Sequence, residues 1–241
     1  MGICADLHSP DFAQRLPEVE LSAVVLCVAP SEGTPAGYQQ TYLQGARSLV
    51  AALRLRRLRP RLLFVSSTSV YAQDHGERVD EQSPAAATHF RGATMLQAEA
   101  CIADSGLPHS ILRLGGIYGP ERLRLLRRVQ QGRPPWPPSP HYTNRVHRDD
   151  AAAMVVHLCR AATPLGLYLG VDCEAAEQRQ VLLYLHALMG KDAEPPPLDD
   201  PTVRGKRCDS GKLLRCGHRF GYPTYREGYA ELWRKLQHGL V

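Results

Sequence analysis

The sequence predicts an α/β fold built on a parallel sheet, and three observations carry that prediction. Two runs, Ala23 to Ala29 (AVVLCVA) and Leu62 to Val65 (LLFV), are apolar at every position, as strands covered on both faces require. Helical spacing fills the stretches between such runs. Each run is followed by a turn of hydroxyls, Gly or Pro, and open parallel sheets bind their ligands beyond the carboxyl ends of the strands. A chain of 241 residues, 44% hydrophobic and 22% charged, is long enough to bury a sizeable core.

Taken in order, Gly2 to Leu7 is a short apolar stretch interrupted by Asp6, and Pro10 to Leu16 is a weak helix. Ala23 to Ala29 is a strand bounded by Pro30. Tyr38 to Leu58 is a helix with Tyr42, Ala46, Leu49 and Leu53 on one stripe, ended by Pro60. Leu62 to Val65 is the second apolar strand, Thr94 to Ala103 a helix and Ser110 to Leu114 (SILRL) the third strand. The turns Pro30-Ser31-Glu32-Gly33, Ser66-Ser67-Thr68-Ser69 and Gly115-Gly116 follow these strands and are expected to converge on one crevice.

The segment Arg133 to Pro140 (RPPWPPSP) holds five prolines and can be neither helix nor central strand. Asp149 to Arg160 is helical, Leu167 to Val171 a strand and Gln178 to Met189 helical, before Pro195 to Pro197 breaks the chain. The basic, aromatic tail from Arg204 is expected to form a small lobe with 115–147. The expected division is therefore 1–120 for the sheet domain and 121–241 for the segment that returns to it and forms the lobe.

The formal charge of +5 permits an anionic ligand, and nucleic acid is allowed without being indicated. Arg54, Arg56, Arg57, Arg59 and Arg61 crowd one helix end, where cations suit the macrodipole, and no recognition module accompanies them. The longest apolar stretch, Ala23 to Ala29, falls far short of the ~20 residues of a bilayer span, and no secretory leader is evident. Seven scattered cysteines without a C-x-x-C pair point to a reducing compartment, and the cytoplasm is expected. Cys208, Cys216 and His218 come nearest to a metal pattern but lack the paired ligands of a zinc knuckle, so no metal is expected.

A family resemblance rests on four pieces in order. They are FVSSTSVY (Phe64 to Tyr71), LRLGGIYGP (Leu112 to Pro120), VHRDD (Val146 to Asp150), and the tail KRCDSGK (Lys206 to Lys212) leading to GYPTYREG (Gly221 to Gly228). Together they resemble the extended short-chain dehydrogenase/reductase family, the NAD(P)-dependent epimerases and dehydratases, and especially its atypical YeeZ-type branch. The resemblance implies a Rossmann-like sheet with a small C-terminal substrate-side lobe, NAD or NADP as cofactor, and a sugar-like or nucleotide-sugar substrate. A homodimer stays open as a further partner.

Carried across residue by residue, Ser67 opens an S-x-x-V-Y match and takes the place of the hydroxyl that hydrogen-bonds the substrate oxygen. The alternative is that the hydroxyls of 66–69 only cap the turn that follows. Glu99 matches the family's Glu four residues after the catalytic Lys, which puts that Lys at Met95 and its Tyr at Arg91. Neither can transfer a proton near neutral pH, so the usual Tyr-x-x-x-Lys pair is missing. Tyr42, Tyr71 and Tyr118 are available as a displaced acid; Tyr42 falls where many members carry a relay Asn, and a buried helix tyrosine with one hydrogen bond is the competing view.

The resemblance further matches residues 3 to 7 (ICADL) to the family's third strand, whose Asp, here Asp6, lies beside adenine. Ala29, Pro30 and Ser66 are expected to line the cofactor. Ser69, Tyr118, Tyr142, Asn144 and Arg145 are expected to contact substrate, and Arg122, Arg124, Arg127, Arg128 and Arg133 follow the Tyr-Gly-Pro turn where substrate phosphates often lie. His147 and Asp150 are expected to be structural. The Gly-rich β-α-β-α start, roughly 50 residues, is not in this sequence, so the sheet is expected to be truncated at its N-terminal side. A late start of the supplied chain is favoured over natural loss, because loss leaves an apolar edge unguarded. A catalytically degenerate nucleotide- or metabolite-binding protein on the same scaffold is the second expectation.

Overall fold

The computed structural model describes residues 3–240. In chain order its elements are α1 (Phe12–Arg15), β1 (Ala23–Leu26), α2 (Pro35–Tyr38), a π-helical stretch (Gln39–Gln44), α3 (Gly45–Leu55), β2 (Arg61–Ser67), a 3-10 turn (Thr68–Val70), β3 (His75–Val79), α4 (Phe90–Ala103) and β4 (His109–Leu114). There follow β5 (Gly116–Tyr118), α5 (Arg124–Gln130), β6 (Tyr142–Thr143), β7 (Arg145–His147), α6 (Arg148–Cys159), β8 (Gly166–Gly170), β9 (Ala176–Glu177), α7 (Gln178–Leu188), β10 (Gly205–Cys208), α8 (Gly211–Arg215) and α9 (Tyr225–Gln237). The central sheet is parallel in the order β1-β2-β4-β8, with Val24 opposite Leu62 and Leu26 opposite Phe64.

The chain forms two compact units, each assembled from separate stretches rather than from the contiguous 1–120 and 121–241. The first takes the chain through Ala72, Pro84–Arg113 and Val155–Tyr168. Its core includes the run 62–64 and Leu112, all fully buried, together with the buried Leu49, Val50 and Leu53 of α3 and Ala98 and Ile102 of α4. Four of the five arginines at the end of α3 are tied to main-chain carbonyls: Arg54 to Ser105 (3.1 Å), Arg56 to Ala13 (3.0 Å), Arg59 to Gly106 (2.9 Å) and Arg61 to Thr163 (2.7 Å). The basic run is therefore a set of stitches between loops, a stronger structural role than the macrodipole alone provides.

Two expectations for this unit change. The apolar run 23–29 pairs only over Ala23–Leu26, because beyond Leu26 the residues alternate towards solvent on an outer strand. Ile3 to Leu7 is not a strand; Gly2 lies outside the described residues. The Asp6 carboxylate accepts the His8 N–H (2.9 Å) and its carbonyl the Ser9 N–H (3.0 Å). Local Asp-to-backbone bonds of this kind compete with a ladder, and here they close a turn instead. Within the sheet β1 is an edge strand, with Val25 exposed.

The second unit takes Gln73–Ser83, Leu114–Met154 and the chain from Leu169 onward. It is held by short ladders, β5 parallel to β7, β6 antiparallel to β9 and β10 parallel to β3. Its core joins Tyr118, Leu126, Val181, Leu185, Tyr229 and Leu232 from β5, α5, α7 and α9. The proline-rich segment 133–140 carries neither helix nor strand, as expected. Among the described residues no helix is long and apolar enough to cross a membrane.

Candidate functional site

In the first unit the predicted hydroxyls of 66–69 lie at the carboxyl end of β2. Ser67 is half-buried there, and its Oγ accepts the Ser69 N–H (3.1 Å) as the cap of the 3-10 turn. Accepting that bond leaves the Ser67 hydroxyl proton uncommitted, so the capping role and a donor role towards a ligand coexist on one oxygen. Ser69 is exposed at the tip of the turn. Ser66 is buried, and its hydroxyl donates to Glu99 Oε1 at 2.5 Å.

Glu99 anchors more than Ser66. Arg113 meets it with two parallel bonds, Nε to Oε1 at 2.9 Å and Nη2 to Oε2 at 2.6 Å, both side chains buried. The Arg113 guanidinium also lies over the Tyr71 ring at 4.8 Å. This bidentate pair locks β4, α4 and the end of β2 to one another, so the hydroxyl turn rests on a fixed base. The start of α4 presses on the same turn: a β-carbon on Gly92 would collide with the Ser69 carbonyl oxygen and come within 2.6 Å of Ala87 Cβ.

Tyr42 lies half-buried in the π-helical stretch, 5.3 Å ring to ring from Tyr38. Among the described residues nothing hydrogen-bonds its hydroxyl, so it lacks the single bond of an ordinary buried helix tyrosine, and burial pushes its phenol pKa up. Arg91 is exposed, its guanidinium 5.8 Å from the Tyr38 ring and 5.7 Å from that of Phe90. Met95 is only 3% exposed and packs as core. Ala29 is exposed and Pro30 half-buried in the turn after β1, whereas Asp6 is exposed in its own turn and on no strand.

In the second unit Tyr118 is buried against Tyr229, their rings stacked at 4.5 Å, and burial drives its phenol pKa strongly upward. Among the described residues its hydroxyl has no hydrogen-bond partner, and it abuts Gly228, where a β-carbon would strike it. Arg145 is buried, with Nη2 donating to Thr143 Oγ1 (2.7 Å) and Nη1 without a partner. Asn144 donates to the Lys206 carbonyl (2.8 Å) and accepts the Cys208 N–H (2.8 Å), so its side-chain amide works as a rung of β10. Tyr142 carries the Arg207 guanidinium over its ring at 5.0 Å. Asp150 accepts the Gly221 (2.7 Å) and Tyr222 (2.9 Å) N–H groups, and the buried His147 Nδ1 accepts the Asp149 N–H at 3.2 Å; their hydrogen bonds are those of tie points.

Tyr118, Asn144 and Arg145 also line a pocket of about 400 Å³ with Arg122, Arg124 and Arg128. Four arginines and no acidic residue face this space, with Ile117, Leu125 and Pro135 supplying apolar wall. Such a lining suits a ligand with an anionic group on an apolar or ring-bearing body.

The family model for the NAD dependent epimerase/dehydratase family matches residues 4–164, about two thirds of the chain. The chain belongs to that family. Protein YeeZ of Escherichia coli is 27% identical over 209 residues, covering 85% of this chain and 73% of its own. A structure from Methylobacillus flagellatus, provisionally described as an NAD-dependent epimerase/dehydratase, superposes with TM-score 0.81 at 34% identity over 97% of this chain and 83% of that one. UDP-glucuronic acid 4-epimerase from Bacillus cereus, in complex with NAD, shares the fold at TM-score 0.78 and 18% identity, covering 98% of this chain and 80% of the other.

The two positions that the sequence match aligned with the family's Lys and Tyr are a buried methionine, Met95, and an arginine resting on aromatic rings, Arg91. Sequence reasoning missed Arg113 as the partner of Glu99 and Asp172 as a buried acid. An arginine inside an otherwise apolar strand, SILRL, was the available signal for the first, since such a charge needs a buried partner.

Proposed function

We propose that this family member is an oxidoreductase that uses NAD or NADP on a sugar-like or nucleotide-sugar substrate. The observation that carries the proposal is Ser67, whose hydroxyl is held by the Ser69 N–H and has its proton free to donate at the end of β2. The cofactor fits in part. Ala29 and Pro30 offer small side chains that leave the backbone after β1 approachable and are the residues that would hold it, whereas the expected Ser66 is buried with its hydroxyl donated to Glu99. The buried Met95 offers no cation to a ribose hydroxyl. When bound, a nicotinamide supplies or takes the hydride.

Ser67 then orients the carbinol oxygen of the substrate by donating a hydrogen bond to it. The proton at that oxygen falls to a group other than residues 91 and 95, and Tyr42 is our candidate. Its raised pKa keeps the phenol protonated at neutral pH, so it serves as a proton donor in reduction better than as a base in oxidation. The test is turnover of nucleotide sugars with NADH or NADPH by the full chain and its Ser67→Ala and Tyr42→Phe variants. Each variant is expected to lose about 10²-fold or more in kcat, with cofactor affinity unchanged for Ser67→Ala; undiminished turnover in Ser67→Ala overturns the proposal.

One observation favours a second reading. Met95 is packed core and Arg91 is engaged with Tyr38 and Phe90, so the scaffold has filled both proton-transfer positions with groups that do other work. A binding or regulatory protein has that property, and it would show nucleotide or metabolite binding without turnover in either direction.

A further inference from the structure

The second unit contains another pocket, of about 480 Å³, that the proposed function does not use. Two of its lining groups are cations with capacity to spare. Arg78 on β3 is exposed and makes no hydrogen bond or ion pair among the described residues. Arg207 on β10 is oriented by its Nε, which donates to the Gly76 carbonyl at 2.7 Å, and by the Tyr142 ring beneath it; this leaves the terminal nitrogens for a ligand. Two of the three acidic groups in the lining are already engaged. Glu174 pairs with Arg226 at 2.9 Å, and Asp209 accepts the Gly211 N–H at 2.6 Å.

The third lining group is Asp172, only 2% exposed. Its Oδ1 accepts the Glu174 N–H at 3.2 Å, and its Oδ2 is buried without a partner. A buried carboxyl oxygen left unpaired is costly and calls for a hydrogen-bonding occupant. Ala175 and Leu214 add apolar wall, which suits an organic anion better than an inorganic one.

We propose that this pocket binds a small organic carboxylate, clamped by Arg78 and Arg207 and hydrogen-bonded by the Asp172 carboxylic acid as donor. A guanidinium with its terminal nitrogens free presents the planar fork that a carboxylate matches with two bonds. Burial raises the pKa of Asp172 to about 7. The groups around it are Arg145 from β7, Tyr118 from β5, Tyr229 and Glu227 from α9, and Cys173 and Glu174 on its own loop. Burial is the main cause of the rise; Arg145 and the Glu174 N–H favour the charged form. Below that pKa the acid donates to the anion; above it the two negative charges repel, so binding weakens as pH rises.

The test is calorimetric titration of the full chain with succinate, and separately with inorganic phosphate, at pH 6 and pH 8. Succinate is expected to bind at least about tenfold more tightly at pH 6. Asp172→Asn is expected to abolish that difference, and Arg207→Gln and Arg78→Gln to weaken binding by tenfold or more at pH 6. Arg78 is exposed and holds nothing in the fold, so Arg78→Gln tests the site even if another variant fails to fold. Succinate binding indifferent to Arg78→Gln, no binding at millimolar succinate, or phosphate bound more tightly than succinate would each overturn the proposal.

Discussion

At the residue scale, the Glu99–Arg113 pair separates what a buried charge needs from what a buried hydroxyl needs. Removing Glu99 leaves the Arg113 guanidinium without its counter-charge, whereas removing the Ser66 hydroxyl deletes one bond from a carboxylate that keeps two others. Glu99→Ala is expected to cost roughly 3–5 kcal/mol and Ser66→Ala about 1–2 kcal/mol in urea unfolding. Similar values for the two would mean that the pair is not the anchor. Asp172 gives a pH dependence of definite sign. Its folded pKa, about 7, lies above its unfolded value, so between about pH 4 and pH 7 the folded state holds more protons and stability falls as pH rises. The Asp172→Asn variant, which has no such proton to lose, should gain on the wild type in melting temperature from pH 5 to pH 8. A constant difference across that range would contradict a perturbed Asp172.

At the element scale, α4 sets the hydroxyl turn by approaching it more closely than any side chain permits. Gly92→Ala puts a methyl group against the Ser69 carbonyl oxygen and is expected to cost roughly 1–3 kcal/mol in thermal unfolding. An unchanged melting temperature would show that the contact is loose. Which elements were legible in the sequence follows from the same packing. Strand β2 could be read because burial on both faces makes Leu62 to Val65 apolar throughout, β4 from Ile111, Leu112 and Leu114, and α3 because one stripe of it is buried. The strands of the second unit run to five residues or fewer, and several pair through side chains such as Asn144, which no periodicity announces. The stretch 3–7 looked like a strand by its apolar residues alone, and one aspartate closing a turn decided otherwise. The Ser67 turn was legible because its motif is local. The bond from Ser66 to Glu99 spans 33 positions and exists only once α4 lies against β2.

At the scale of the whole molecule, the family membership and the missing Tyr-x-x-x-Lys pair pull in different directions. On the proposed reading the hydroxyl turn serves a ligand, while residue 95 is buried core and residue 91 an exposed arginine over aromatic rings. The proposed oxidoreductase requires that a nicotinamide cofactor binds, whereas a degenerate nucleotide- or metabolite-binding form does not, and direct calorimetric titration of the full chain with NADH and NADPH measures that. The account predicts saturable binding of one molecule of at least one of them per chain, with an affinity that Ser67→Ala leaves unchanged. No measurable heat with either, from protein shown to be folded by its melting transition, would contradict it.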